Sequence, residues 1–186
     1  MVTNLSNTLK KYANGWLVLL FLAGQIIFNA VILPDMQSNI KASSGGTGPI
    51  DLLFFYTPDK VYSMIESYGE AGRASYRTFE LTGDIIYPIV YTLFFSLAIT
   101  WLFRRGFPGD SSMHKFNVLP IGMWLFDLLE NLSIVSMLSI FPSTPPLLAW
   151  VSSVFTFLKW LLLLPTILLL LYGLIRAAMN GFKKQA

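Results

Sequence analysis

Four stretches of this chain are apolar for long enough to cross a bilayer, which takes about 20 residues as a helix. They cover about residues 16–33, 85–103, 116–141 and 147–175. Hydrocarbon offers nothing to an unpaired main-chain N–H or C=O, so such stretches are predicted to be helices. Composition agrees. Of 186 residues, 54% are hydrophobic and the mean hydropathy is +0.60, too apolar for a soluble domain of this size. The predicted class is all-α: a polytopic integral membrane protein with four transmembrane helices, forming a single transmembrane domain over residues 1–186. Pro34-Asp35 follows the first stretch in place of a small-residue cleavage site, so that stretch is read as a retained span.

Orientation follows from the lysines and arginines. Lys10 and Lys11 precede span 1. Arg104, Arg105 and Lys115 lie between spans 2 and 3, and Arg176, Lys183 and Lys184 follow span 4. With four spans these three segments share one side, the cytoplasm, and both termini lie there. The outer segment, residues 34–84, is then extracytoplasmic. This bias explains the net charge of +3, which gives no case for nucleic acid.

Composition also removes several chemistries. The chain has no cysteine, which excludes disulfides, thiolate catalysis and Cys-bound metals. Its one histidine, His114, sits in the basic loop and is read as solvated. No phosphate loop, zinc-protease helix or serine elbow is present, and no cofactor or metal is expected.

Within the outer segment, residues 50–56 are apolar and aromatic and are expected at the membrane interface. Thr57-Pro58-Asp59 is a helix start: a threonine N-cap, proline in the first turn, and an acid near the positive end of the dipole. The helix it opens places Val61, Ile65 and Tyr68 on one face. An amphipathic helix lying on the outer membrane surface, between spans 1 and 2, is expected there. Gly69 and Gly72 end or bend it.

Arg73, Arg77, Glu80, Asp84, Tyr87 and Tyr91 are then spaced by threes and fours, as one stripe along a helix. Glu80 and Asp84 repel one another, which Arg73 or Arg77 would relieve. Pro88 removes a main-chain bond inside the same helix.

The most informative residues are polar groups inside the spans. Asp127, Glu130 and Asn131 share one face of span 3, and Lys159 lies near the middle of span 4. A charge at bilayer depth costs at least about 2.5–3.5 kcal/mol, so such residues pair or face a polar cavity. At 1.5 Å per residue, Glu130 is about 16 Å, Asp127 about 21 Å and Lys159 about 18 Å from the outer ends of their helices. Gln25 and Asn29 of span 1 and Tyr91 of span 2 fall in the same zone. One acid facing one base would serve packing alone. Two acids facing one base, with amide and phenol groups at the same depth, suit a ligand or a proton better.

Four spans, an outer helix between the first two and acids at membrane depth resemble the EXPERA architecture of sterol isomerases and sigma-2-receptor-like proteins. Glu80, Asp84 and Pro88 in span 2 and Pro165 in span 4 carry the resemblance. The cavity histidine of a sterol isomerase has no counterpart here. The resemblance implies a polar pocket for a lipid or lipophilic small molecule. The expected site residues are Asp127 and Glu130 as general acid/base in an enzymatic version, and Gln25, Asn29, Glu80, Asp84, Tyr87, Tyr91, Asn131 and Lys159 as ligand-binding groups. Two other expectations compete. One is a small proton-coupled transporter or channel built as a homo-oligomer. The other is a structural or assembly subunit whose charges pair with a membrane-complex partner.

Overall fold

The computed structural model describes residues 2–183; Lys184, one of the cations used for orientation, lies outside the described residues. Helix makes up 86% of the structure, and no strand forms among the described residues. Among the described residues, four helical runs are long and apolar enough to cross a membrane: Gly15–Ser43, Gly69–Gly106, Ser112–Ile140 and Pro146–Gly181. The chain is therefore built as a helical, multi-pass membrane protein.

Among the described residues, eight α-helices follow in order: α1 (Val2–Tyr12), α2 (Gly15–Ile27), α3 (Leu33–Ser43), α4 (Pro58–Ser67), α5 (Gly69–Glu80), α6 (Gly83–Gly106), α7 (Leu119–Ile140) and α8 (Pro146–Lys183). Contacts divide the chain into two compact units, so long helices contribute to both.

One unit gathers the described parts of Met1–Gln25, Val90–Met123 and Leu161–Ala186. Asn14 caps α2 by accepting the Leu17 N–H at 2.9 Å. The short helical turn Ser112–Val118 packs on α1, where the Ser6 hydroxyl donates to the His114 carbonyl at 3.1 Å. His114 is therefore buried, not solvated, and its Nε2 lies 2.8 Å from the Pro108 carbonyl oxygen. The loop folds back over α1, which a hydrophilicity reading does not detect. Leu19, Leu20, Leu164 and Leu168 remain more than half exposed. Faces this apolar and this bare belong in hydrocarbon.

The other unit gathers Ile26–Ile89 and Trp124–Trp160. Its first helix does not stop at Pro34. Residues Phe28–Ile32 widen into a π-turn, and α3 runs on to Ser43 with the proline in its first turn. The wider turn makes room for a ring that would otherwise press on the carbonyl four residues back. The Thr57 side chain caps α4 by accepting the Lys60 N–H at 3.3 Å.

The apolar face of α4 packs into the protein. Val61 and Ile65 are fully buried, in one core with Ile50, Tyr76, Ile134, Met137 and Ala149. The interfacial surface helix of the sequence reading is thus the lid of an internal core. Burying that face against α7 and α8 contributes about 1.5–3 kcal/mol per large side chain. The segment before it is split: Ile50 and Tyr56 are buried, while Phe54 and Phe55 stay half-exposed.

Gly69, at φ +63°, reverses the chain between α4 and α5 in a conformation that favours glycine. A turn at Leu81–Thr82 then separates α5 from α6, so the stripe from Arg73 to Tyr91 is not one unbroken helix face. Gly83 permits this junction, because a Cβ there would lie 2.5 Å from the Phe79 ring.

Candidate functional site: a buried acidic cluster around Lys159

Helix α7 presents Asp127, Glu130 and Asn131 on one face, followed by Ile134, Met137 and Leu138, all buried. Helix α8 answers with Ala149, Ser152, Ser153 and Thr156, again buried, and Lys159 one turn further on. Both rows follow the three-and-four spacing of a helix face.

Lys159 is the centre. Its Nζ lies 2.5 Å from Glu130 Oε2 and 3.3 Å from Asp127 Oδ1. It also donates to the Asp51 carbonyl at 3.4 Å. An ammonium has three N–H groups, and three acceptors surround this one. Its side chain is 13% exposed, while Glu130 is fully buried. Glu130 spends its second oxygen on the Thr156 hydroxyl, which donates at 2.7 Å. Tyr56 extends the network, donating its hydroxyl to Ser152 at 2.7 Å and its main-chain N–H to the Ser153 hydroxyl at 2.9 Å. Burial pushes the Tyr56 phenol up to about 12, although the hydroxyls of Ser152 and Thr156 pull the other way. It remains a protonated donor across the physiological range.

A second arm is built on Asp51, which sits in the short helical turn Ile50–Leu52. Its carboxylate accepts the Tyr76 hydroxyl at 2.5 Å, and the same phenol oxygen accepts the Ile50 N–H at 2.9 Å. Tyr76 is fully buried on α5.

The third arm is the α5–α6 junction. Glu80 ends α5 and is 1% exposed, and neither of its carboxyl oxygens has a hydrogen-bond partner among the described residues. Asp84 is 6% exposed. The charges of Asp51, Glu130 and Lys159 act on both, and Asp127 acts on Asp84. Asp51, Glu80, Asp84, Asp127 and Glu130 are thus five carboxyls of one unit, two of which meet the Lys159 ammonium. Even with Glu130 and Asp127 matched to Lys159, acid is in surplus.

Arg73 and Arg77 do not relieve that surplus. Arg73 donates to the Ile65 carbonyl at 3.3 Å and lies over the Phe141 ring at 4.7 Å, while Arg77 is exposed. Arg73 is two helical turns from Glu80, about 10 Å along the axis, and has nearer partners at the end of α4.

Asn131 donates its amide to the Asp84 carbonyl at 2.8 Å. Asn29 and Tyr87 bond one another at 3.3 Å, with the Phe28 and Tyr87 rings 5.2 Å apart. Gln25 and Tyr91 belong to the other unit. The sequence reading missed Asp51, Tyr56, Tyr76, Ser152, Ser153 and Thr156. The α8 hydroxyls carried a signal, since they precede Lys159 at helical spacing. Asp51 and the tyrosines carried none, because they come from a segment expected outside the bundle. Among the described residues, no group of three or more histidine, aspartate or glutamate side chains is arranged to hold a metal ion.

The fold and site define a class: a helical membrane protein with a buried, acid-rich polar centre. Beyond that class, the chain matches no known protein family, no curated protein and no solved structure.

Proposed function

We propose that this protein binds a small lipophilic or amphipathic ligand whose amine or hydroxyl head is recognised by Glu80 and Asp84. Glu80 carries the reading. It is buried with neither oxygen hydrogen-bonded among the described residues, in the unit where Asp127 and Glu130 already take up Lys159. An unpaired buried acceptor costs about 1–3 kcal/mol, more when charged, and a donor-bearing ligand removes that cost. In this reading Asp127 and Glu130 serve as structure rather than as general acid/base. Both face Lys159, so they fix the floor of the site. Apolar helices around a polar centre suit a ligand with an oily body and one polar end.

The same reading places the four long helices across the bilayer. The Lys/Arg bias sets both termini in the cytoplasm and the segment between the first two spans outside. A cysteine at the exposed Ala42 and another at Gln185, in this cysteine-free chain, are then labelled from opposite sides.

The functional test is extraction from native membranes without detergent, followed by mass spectrometry of small molecules that co-purify. An amine- or hydroxyl-bearing amphiphile is expected with the wild type. It is depleted in Glu80→Gln and retained in Arg77→Gln. Identical small-molecule profiles in all three contradict ligand binding. A complex in which Glu80 bonds a partner protein's span supports the assembly-subunit alternative instead.

A further inference from the structure

The other unit carries a site of opposite charge. A pocket of about 430 Å³ is lined by Ala13, Asn14, Gly15, Trp101, Arg104 and Arg105. It lies where two apolar runs end, at Gly15 of the first and Gly106 of the second. Among the described residues, no carboxylate lines it.

Each arginine is held by one nitrogen. Arg104 donates from Nη1 to the carbonyls of Lys10 and Ala13, at 3.2 and 3.3 Å. Arg105 donates from Nη1 to the Trp101 carbonyl at 2.9 Å, and its guanidinium carbon lies 3.7 Å from the centre of the Trp101 ring. A guanidinium has five N–H donors, so most remain for an anion. Both side chains are exposed. The indole contact restrains the Arg105 guanidinium, and a guanidinium fork matches phosphate oxygens. The opening N–H groups of α2 add positive potential at Asn14–Gly15. Trp16, 83% exposed at the start of α2, sits where tryptophans meet headgroups.

We propose that this pocket binds the phosphate of an anionic phospholipid, with Arg104 and Arg105 as the phosphate ligands and the bare faces of α2 beside its acyl chains. The lipid is the source because the pocket opens at the rim of the apolar helices, where a headgroup is already concentrated.

The test uses the full chain in detergent, titrated with phosphatidylglycerol or phosphatidylcholine of the same acyl chains and read by native mass spectrometry. Wild type takes up phosphatidylglycerol in preference. Arg105→Gln loses that preference by about fivefold, the worth of one headgroup-contacting cation. Arg105→Lys, which keeps the charge but not the planar fork, keeps only part of it, and Arg77→Gln, in the other unit, keeps all of it. Arg104→Gln also removes two main-chain bonds, so Arg105→Gln, which bonds only within its own helix, is the deciding variant. Helical circular dichroism confirms that it is folded. Equal uptake of the two lipids overturns the proposal. So does an unchanged Arg105→Gln, or an Arg77→Gln loss equal to it. Displacement of phosphatidylglycerol by inorganic phosphate at matched concentration assigns the pocket to a free anion and also overturns it.

Discussion

Asn131 donates its side-chain amide to the main-chain carbonyl of Asp84 at 2.8 Å. That carbonyl is four residues before Pro88, so it is the one that the proline leaves without its helical N–H. Asn131 is thus a main-chain partner before it is anything else. It ties α7 to α6 at the level of the acids and fixes where Asp84 points.

This predicts a specific coupling. Asn131→Leu leaves the carbonyl buried and unpaired, and costs about 1–3 kcal/mol of stability. In a Pro88→Ala background the helix supplies its own N–H, and the same change costs less. A double-mutant cycle by thermal unfolding in detergent reads the difference. Equal costs in both backgrounds mean that Asn131 does not serve the Pro88 gap.

Lys159 is expected to be a keystone. Lys159→Met leaves two buried acids without their cation and destabilises by about 3–5 kcal/mol. Glu130 is the nearer partner, so adding Glu130→Gln recovers more of that loss than adding Asp127→Asn. The reverse order of recovery, measured by unfolding midpoints, shows that Asp127 carries the pair.

Tyr56 gives an alkaline signature. Its phenol is raised from 10.0 to about 12, so the folded state holds that proton more tightly than the unfolded state. The stabilisation is fully present below about pH 10 and is lost as pH rises towards about 12, on the order of 2–3 kcal/mol across the window. Tyr56→Phe is less stable at neutral pH, through loss of the bond to Ser152, yet its stability falls less steeply between pH 10 and 12. Parallel curves for the two proteins contradict the raised phenol.

The long apolar helices were legible because length and hydropathy are local properties. The Thr57 cap was legible for the same reason, since cap and first turn are neighbours in sequence. Depth was legible too. Counting residues set Lys159 level with Asp127 and Glu130, and its ammonium lies within 3.3 Å of both. Direction in the plane of the bundle was not legible. Gln25 and Tyr91 match the others in depth but fall in the other unit. Asp51 was invisible because a polar residue after a Ser-Gly-rich loop reads as solvent-facing. Only the fold-back of residues 50–56 onto α8 brings its carbonyl to Lys159. The continuation of the first helix past Pro34 was hidden because a π-turn leaves no clear mark in sequence.

The central claim is that Glu80 is an acceptor awaiting a donor. Decylamine and decanoic acid differ chiefly in the sign of the head on an oily chain. The deciding measurement is the thermal shift each produces in the purified full chain, compared with Glu80→Gln. The ligand reading predicts that decylamine stabilises the wild type, decanoic acid does not, and Glu80→Gln loses most of the amine effect. An equal amine shift in wild type and Glu80→Gln would contradict it.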